Sequence, residues 1–200
     1  NVTINSAKAI AETLKGINTD LIGIIILITI IAPAVYKDFQ YNMHPLLFTN
    51  PITKFGYMFG RFFASFLIAL FVITGSAFGH IIACAIPGIE AERLGGFQLM
   101  NYIQPFVVFV IPNTLLVGAI FFSVVTFSRN MISAYVGAII LLVLKGISPI
   151  LLADIENQDI SAMLDPFGDQ AFNNATKYWS TEEQNLLSIP VSGTLLYNRL

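Results

Sequence analysis

Charge is what this sequence has least of. Charged residues make up 11% of the chain, while apolar types reach 56% and mean hydropathy is +0.74. A soluble domain carries about 25% charge, so a normal wetted surface is excluded. The single cysteine, Cys84, excludes a disulfide framework and a cysteine-based zinc site. The sequence has no His-Glu-x-x-His, phosphate-binding loop, dinucleotide glycine pattern or Gly-x-Ser-x-Gly elbow, so no enzyme signature stands out. A signal peptide is also missing, since there is no charged leader followed by a small-residue cleavage site. No internal repeat or low-complexity tract interrupts the chain.

Long apolar runs fill the space that charge leaves. A bilayer core of about 30 Å needs roughly 20 helical residues. Four segments qualify or nearly qualify, at 20–36, which is short, 62–86, 102–127 and 131–153. Backbone groups in lipid must be satisfied internally, and none of the four alternates with period two, so helices are expected rather than a barrel. The expected fold is all-α: a polytopic bundle in one membrane domain over 1–200, with a cytoplasmic amphipathic connector and short outer-face helices.

The basic residues orient the bundle. Lys37, Lys54, Arg61 and Arg129 crowd into the short segments 37–61 and 128–130. Lys8, Lys15, Arg93, Lys177 and Arg199 are spread over the longer segments 1–19, 87–101 and 154–200. The denser side is expected to be cytoplasmic. Both ends then lie outside, and the chain is expected to be an internal piece of a longer polypeptide, with a further span on either side. His44 and His80 fall on opposite sides and cannot share a metal. His80 reads as a hydrogen-bonded histidine near the outer interface, or alternatively as an ion or proton site.

The outer segment 154–200 is acidic but keeps apolar residues at helical spacing, such as Ile160, Met163 and Leu164. Asp165-Pro166-Phe167-Gly168 reads as a turn. Ser180-Thr181-Glu182-Glu183 fits a capping box, and Tyr178-Trp179 fits an interfacial anchor. Short helices on or dipping into the outer leaflet are expected. Asn1-Val2-Thr3 and Asn174-Ala175-Thr176 are weak glycosylation sequons.

Within the spans, Lys145 is the one basic residue. It either snorkels outward, where Asp154 is within reach, or lines a path. Pro112 has no N–H for the carbonyl of Val108, so a bend is expected there. Asn113 can satisfy freed backbone or bond a neighbouring helix. Together Pro112 and Asn113 form a candidate hinge, with ordinary packing as the plainer reading. Gly75-x-x-x-Gly79 and Ser133-x-x-x-Gly137 permit close helix contact.

The segment from Tyr36 to Arg61 is long for a simple turn. Asp38 can cap a helix after the first span. Phe39, Met43, Leu46 and Leu47 then fall on one apolar stripe, broken by Pro45. Thr49-Asn50-Pro51 ends it, and Lys54 to Arg61 lead into the next span. Lys37, His44 and Lys54 rim the stripe. Such an element either docks a protein or lies on the bilayer surface.

In order along the chain stand Asp38, Leu46-Leu47, Thr49-Asn50-Pro51 and Gly60-Arg61. This pattern resembles the connector of ABC-2 type transporter permeases, where a coupling helix meets an ATPase subunit. The likeness is closer to a bacterial subgroup fused to an M1-family aminopeptidase domain. It rests on Lys37-Asp38-Phe39-Gln40, His44-Pro45-Leu46, Phe48-Thr49-Asn50-Pro51-Ile52-Thr53-Lys54 and Gly60-Arg61-Phe62. Pro112-Asn113, Asp165-Pro166-Phe167-Gly168, Tyr178-Trp179 and Asn198-Arg199-Leu200 extend it over nearly the whole chain. Gln40 and Pro45 depart from it, each where an acid is usual.

The resemblance implies an inner-membrane permease subunit of an ATP-driven exporter. Its implied partners are a cytoplasmic ABC ATPase, a second permease half or second copy, and the lipid membrane; nucleic acid is not among them. ATP and Mg are expected on the ATPase, with no cofactor, metal or catalytic residue in this chain. The implied coupling surface is Asp38, Phe39, Met43, His44, Leu46, Leu47, Thr49, Pro51, Lys54 and Arg61. Pro112, Asn113 and Lys145 are path or hinge candidates. Two alternatives stay open: an anchor for an outer-face peptidase, and an ion-coupled carrier, which the scarcity of intramembrane charge disfavours.

Overall fold

The computed structural model describes residues 2–43, 49, 53–153, 158–191 and 193–199, and among them it is all-α, with no strand. Four helices are long and apolar enough to cross a membrane, and the protein is a membrane-embedded, multi-pass bundle. The chain begins with α1 (Ala7–Thr19), whose first turn is capped by Ser6 Oγ accepting from Ala9 N. One extended residue, Asp20, separates it from α2 (Leu21–Gln40). The chain folds so tightly here that a Cβ on Gly23 would lie 1.4 Å from the Ile17 carbonyl oxygen. Only glycine fits that approach.

The remaining spans are α3 (Lys54–Ala85), α4 (Met100–Ser128) and α5 (Met131–Ala153). Helices α2 and α4 form the middle of the bundle, and α3 and α5 each pack against both. Of the most apolar window of each span, 44% is buried in α2 and α4, against 22% in α3 and 11% in α5. The two flanking helices therefore present most of their apolar surface outward. Ile24, Leu27, Ile28 and Ile31 of α2 meet Val110, Val117, Phe121 and Val125 of α4 in the core. Gly118 permits the contact, since a Cβ there would lie 2.8 Å from Ile31 Cδ1. In lipid such packing is held by dispersion rather than by exclusion of water. Hydroxyls in the spans bond back to their own helix, as in Thr29 to the Ile25 carbonyl and Thr126 to the Phe122 carbonyl.

Several expected boundaries move, two of them by four residues or more. The first span runs past 36 to Gln40, and the second begins at Lys54 rather than 62, because Thr53 caps it by accepting from Gly56 N. The fourth span matches its expected limits, while the third gains two residues at its start and one at its end. Near Pro112, where a bend is expected, the helix forms a π-helical turn, Phe106–Val110, that ends two positions before the proline. The wider turn accommodates a proline that cannot donate. A Cβ added at Gly75 or Gly79 would meet nothing within 4 Å, so these glycines mark no close helix contact among the described residues.

The end of the bundle away from the connector is built from α6 (Gln158–Leu164), α7 (Asp169–Thr176), α8 (Thr181–Leu186) and α9 (Gly193–Arg199). Of these, α6, α7 and α9 share a second core with α1, the π turn and Ile189, formed by Ala7, Ala11, Phe109, Ala162, Ala171, Phe172, Ile189 and Leu195. Phe109 and Phe172 meet edge to face at 5.6 Å. Lys15 of α1 pairs with Asp169 at 2.8 Å. The segment 87–99 is stitched to the N-terminal residues by Asn5, which exchanges two hydrogen bonds with the Gly95 backbone, each 2.6 Å. The expected capping box is present, with Ser180 and Glu183 bonding reciprocally.

Candidate functional site

Three polar clusters interrupt the apolar bundle. The first stands at the end from which the connector projects. Asp38 does not open a new helix: it lies in the last turns of α2, 6% exposed, and accepts from Arg61 of α3 at 2.7 Å. The Tyr57 hydroxyl donates to its other carboxylate oxygen, and Arg61 Nε donates to the Tyr57 oxygen at 3.2 Å. Both roots of the connector are thus tied together by one charged cluster. A carboxylate this buried is tolerated because a guanidinium and a hydroxyl satisfy it.

The apolar stripe divides at this point. Helix α2 stops at Gln40, and Asn42 has φ 52°, which breaks helical register between Phe39 and Met43. Phe39 packs on the core, with the Arg129 guanidinium 5.3 Å from its ring centre. Met43 is exposed, as are Tyr41, Thr49, Lys54 and Phe55. His44, Leu46, Leu47 and Pro51 lie outside the described residues. Of the expected coupling residues, Asp38, Phe39 and Arg61 therefore anchor the connector, whereas Met43, Thr49 and Lys54 face outward.

The second cluster unites three motifs that lie far apart in sequence. Asn113 is fully buried in α4; its Nδ2 donates to the Phe167 carbonyl at 3.3 Å and its Oδ1 accepts from Arg199 at 2.9 Å. Asp165 holds the turn by accepting from Phe167 N at 3.0 Å and Gln170 N at 2.7 Å. Asn198 donates to the Asp165 carbonyl at 2.8 Å. Gly168 has φ 75°, and a Cβ there would sit 2.7 Å from the Arg199 guanidinium. Burial pulls the Arg199 guanidinium below its ordinary range, opposed by Asp165 and Asp169; arginine still stays charged at any ordinary pH. Asn113 thus bonds the outer turn rather than freed backbone of its own span. The π-turn carbonyl of Val110 instead accepts from Asn18 at 3.0 Å.

The third cluster is at Lys145. Its ammonium donates to Thr19 Oγ1 at 2.7 Å and to Asp20 Oδ1 at 3.1 Å, at the junction of α1 and α2. Among the described residues its partner is Asp20; Asp154 lies outside them. His80 departs from expectation: its Nε2 is buried without a hydrogen-bond partner among the described residues, beside the Tyr102 ring at 5.9 Å.

Sequence reasoning missed α1 as a buried helix, although Ile10, Leu14 and Asn18 recur at helical spacing. It also missed Asp20, Tyr57 and Arg199 as partners. No group of three or more histidine, cysteine or acidic side chains able to hold a metal occurs among the described residues. No protein-family model, curated protein or solved structure matches the chain.

Proposed function

We propose that this chain is the transmembrane permease part of an ATP-driven exporter of the ABC-2 type. In this reading it sits in a bacterial inner membrane, with the connector in the cytoplasm and residues 158–199 outside. A cytoplasmic ATPase binds and hydrolyses ATP with Mg, and this chain contributes the coupling element and the path, without covalent chemistry of its own. A second permease half or a second copy completes the pathway.

The observation that carries this reading is the Asp38–Tyr57–Arg61 cluster at the base of the connector. A lever needs a stiff root, and a buried carboxylate bonded to two groups on the next span supplies one. Force on the exposed side chains Met43, Thr49 and Lys54 reaches α2 and α3 together. Helix α2 packs along α4, and α4 carries Asn113 into the outer turn. Motion at the connector therefore has a continuous packed route to the outer end, where Pro112 and the π turn supply a hinge.

Affinity purification of the full-length protein from its native membrane, followed by identification of its partners, tests the proposal. Recovery of an ABC ATPase in stoichiometric amount is expected. An intact permease that never retains an ATPase, with or without ATP analogues, contradicts it.

A further inference from the structure

A cavity of about 390 Å³ opens between α4, α5 and the Asp165–Gln170 turn, at the outer end of the bundle. This volume falls within the range of small-molecule sites, about 300–1,000 Å³. Leu116 and Ile120 form one wall, Leu141 and Leu144 the other, and Pro166 and Phe167 close the outer end. The lining is strongly apolar, and among the described residues charge enters it only through Lys145, Asp165 and Asp169.

Those three charges are not equivalent. Both Asp165 carboxylate oxygens accept backbone N–H groups, and Asp169 is neutralised by Lys15 at 2.8 Å. An ammonium has three donors, and Lys145 directs two of them, to Thr19 and Asp20. Asp20 is 67% exposed at its side chain, whereas Lys145 is 22% exposed. Water therefore competes for the aspartate more than for the lysine. Among the described residues, the cavity combines a hydrocarbon-lined body with one cation that has a donor beyond those given to Thr19 and Asp20.

We propose that this cavity binds a single-chain anionic amphiphile. Its hydrocarbon tail lies between α4 and α5, and its carboxylate head accepts from Lys145. The tail meets leucine and isoleucine walls, and the head adds a charge-assisted hydrogen bond where the dielectric is low. This site is independent of ATP-driven coupling: it needs only α4, α5 and the outer turn, and it stands whether or not an ATPase binds.

The test uses the full-length protein in phosphatidylcholine nanodiscs with a photoactivatable palmitate analogue. Saturable labelling within 116–120 and 141–148 is expected, displaced by unlabelled palmitate. Hexadecanol should displace it about tenfold less well, the effect of one partly buried ion pair. Lys145→Gln should remove that preference for carboxylate over alcohol, and Lys145→Arg should keep it. Ser148→Phe and Leu116→Phe, which fill the cavity from opposite walls, should each abolish labelling in discs that remain monodisperse. Labelling that is unsaturable or maps elsewhere overturns the proposal. So does equal displacement by palmitate and hexadecanol, or equal displacement by phosphatidylglycerol, which would mark an ordinary lipid groove. Protection of the cavity by a second copy or another helix, with no labelling in the intact protein, overturns it as well.

Discussion

Arg199, in the last described helix, donates to the side-chain oxygen of Asn113 in the third span, 2.9 Å away across 86 positions of chain. The same asparagine donates to the Phe167 carbonyl, so one buried amide joins a transmembrane helix to a turn and to the last described helix. The described residues of 158–199 are therefore part of the bundle rather than an appendage.

Asn113→Leu keeps the γ-branched shape at a larger volume and removes both bonds, leaving Arg199 without its buried acceptor. A loss of about 1–3 kcal/mol is expected, read as a lower unfolding temperature in detergent and earlier protease cleavage within 158–199. An unchanged cleavage pattern would show that the outer segment is held by its apolar core alone.

Removal of Arg61 should be worse than removal of both partners of its ion pair. Arg61→Ala leaves the Asp38 carboxylate buried with only the Tyr57 hydroxyl, while the double variant Asp38→Leu, Arg61→Ala leaves no buried charge. Because Arg61 is 42% exposed at its side chain, the pair is screened by solvent, and a coupling of about 1–2 kcal/mol is expected. A double-mutant cycle on thermal stability measures it; a coupling of zero would deprive the connector of its stiff root.

The four spans were legible in the sequence because hydropathy and length fix them without tertiary knowledge. Asp38 was misplaced for a physical reason: its preference for helix caps was offset by a partner on the next span that local reasoning does not see. The same holds for Lys145, whose counter-ion among the described residues, Asp20, lies at the start of the first span. Asp165-Pro166-Phe167-Gly168 was readable as a turn, but its purpose was not, since Asn113 and Arg199 are distant in sequence. The break at Asn42 was hidden because a left-handed asparagine leaves the apolar spacing of Phe39 and Met43 intact.

Opposite ends of the bundle should be labelled from opposite sides of the membrane. With Cys84 replaced by serine, Met43→Cys and Asn173→Cys, both at exposed positions, should each react from one side only. Met43→Cys is expected to react from the cytoplasm and Asn173→Cys from outside. Labelling of both from one side removes the four-span arrangement.

Acid should loosen the capping box of α8. Hydrogen bonds from the Ser180 backbone and hydroxyl hold the Glu183 carboxyl below its ordinary value. Its folded value lies below its unfolded one, so its contribution is complete above the unfolded value and fades as pH falls through the folded value. Protection of the 181–186 amides, corrected for intrinsic exchange rates, should drop over that window. Ser180→Ala should show reduced protection at neutral pH and little further change on acidification.

The most direct test of coupling is the amount of ATPase that co-purifies with each permease molecule when Leu46 and Leu47 are both changed to aspartate. Two charges placed on the connector alter no membrane span, and insertion at normal levels is expected. Loss of central docking anchors costs about 2 kcal/mol or more, so retained ATPase should fall at least tenfold and ATP-driven export should fall with it. Full retention of the ATPase and of export, at equal permease levels, would contradict the assignment of the connector as the coupling element.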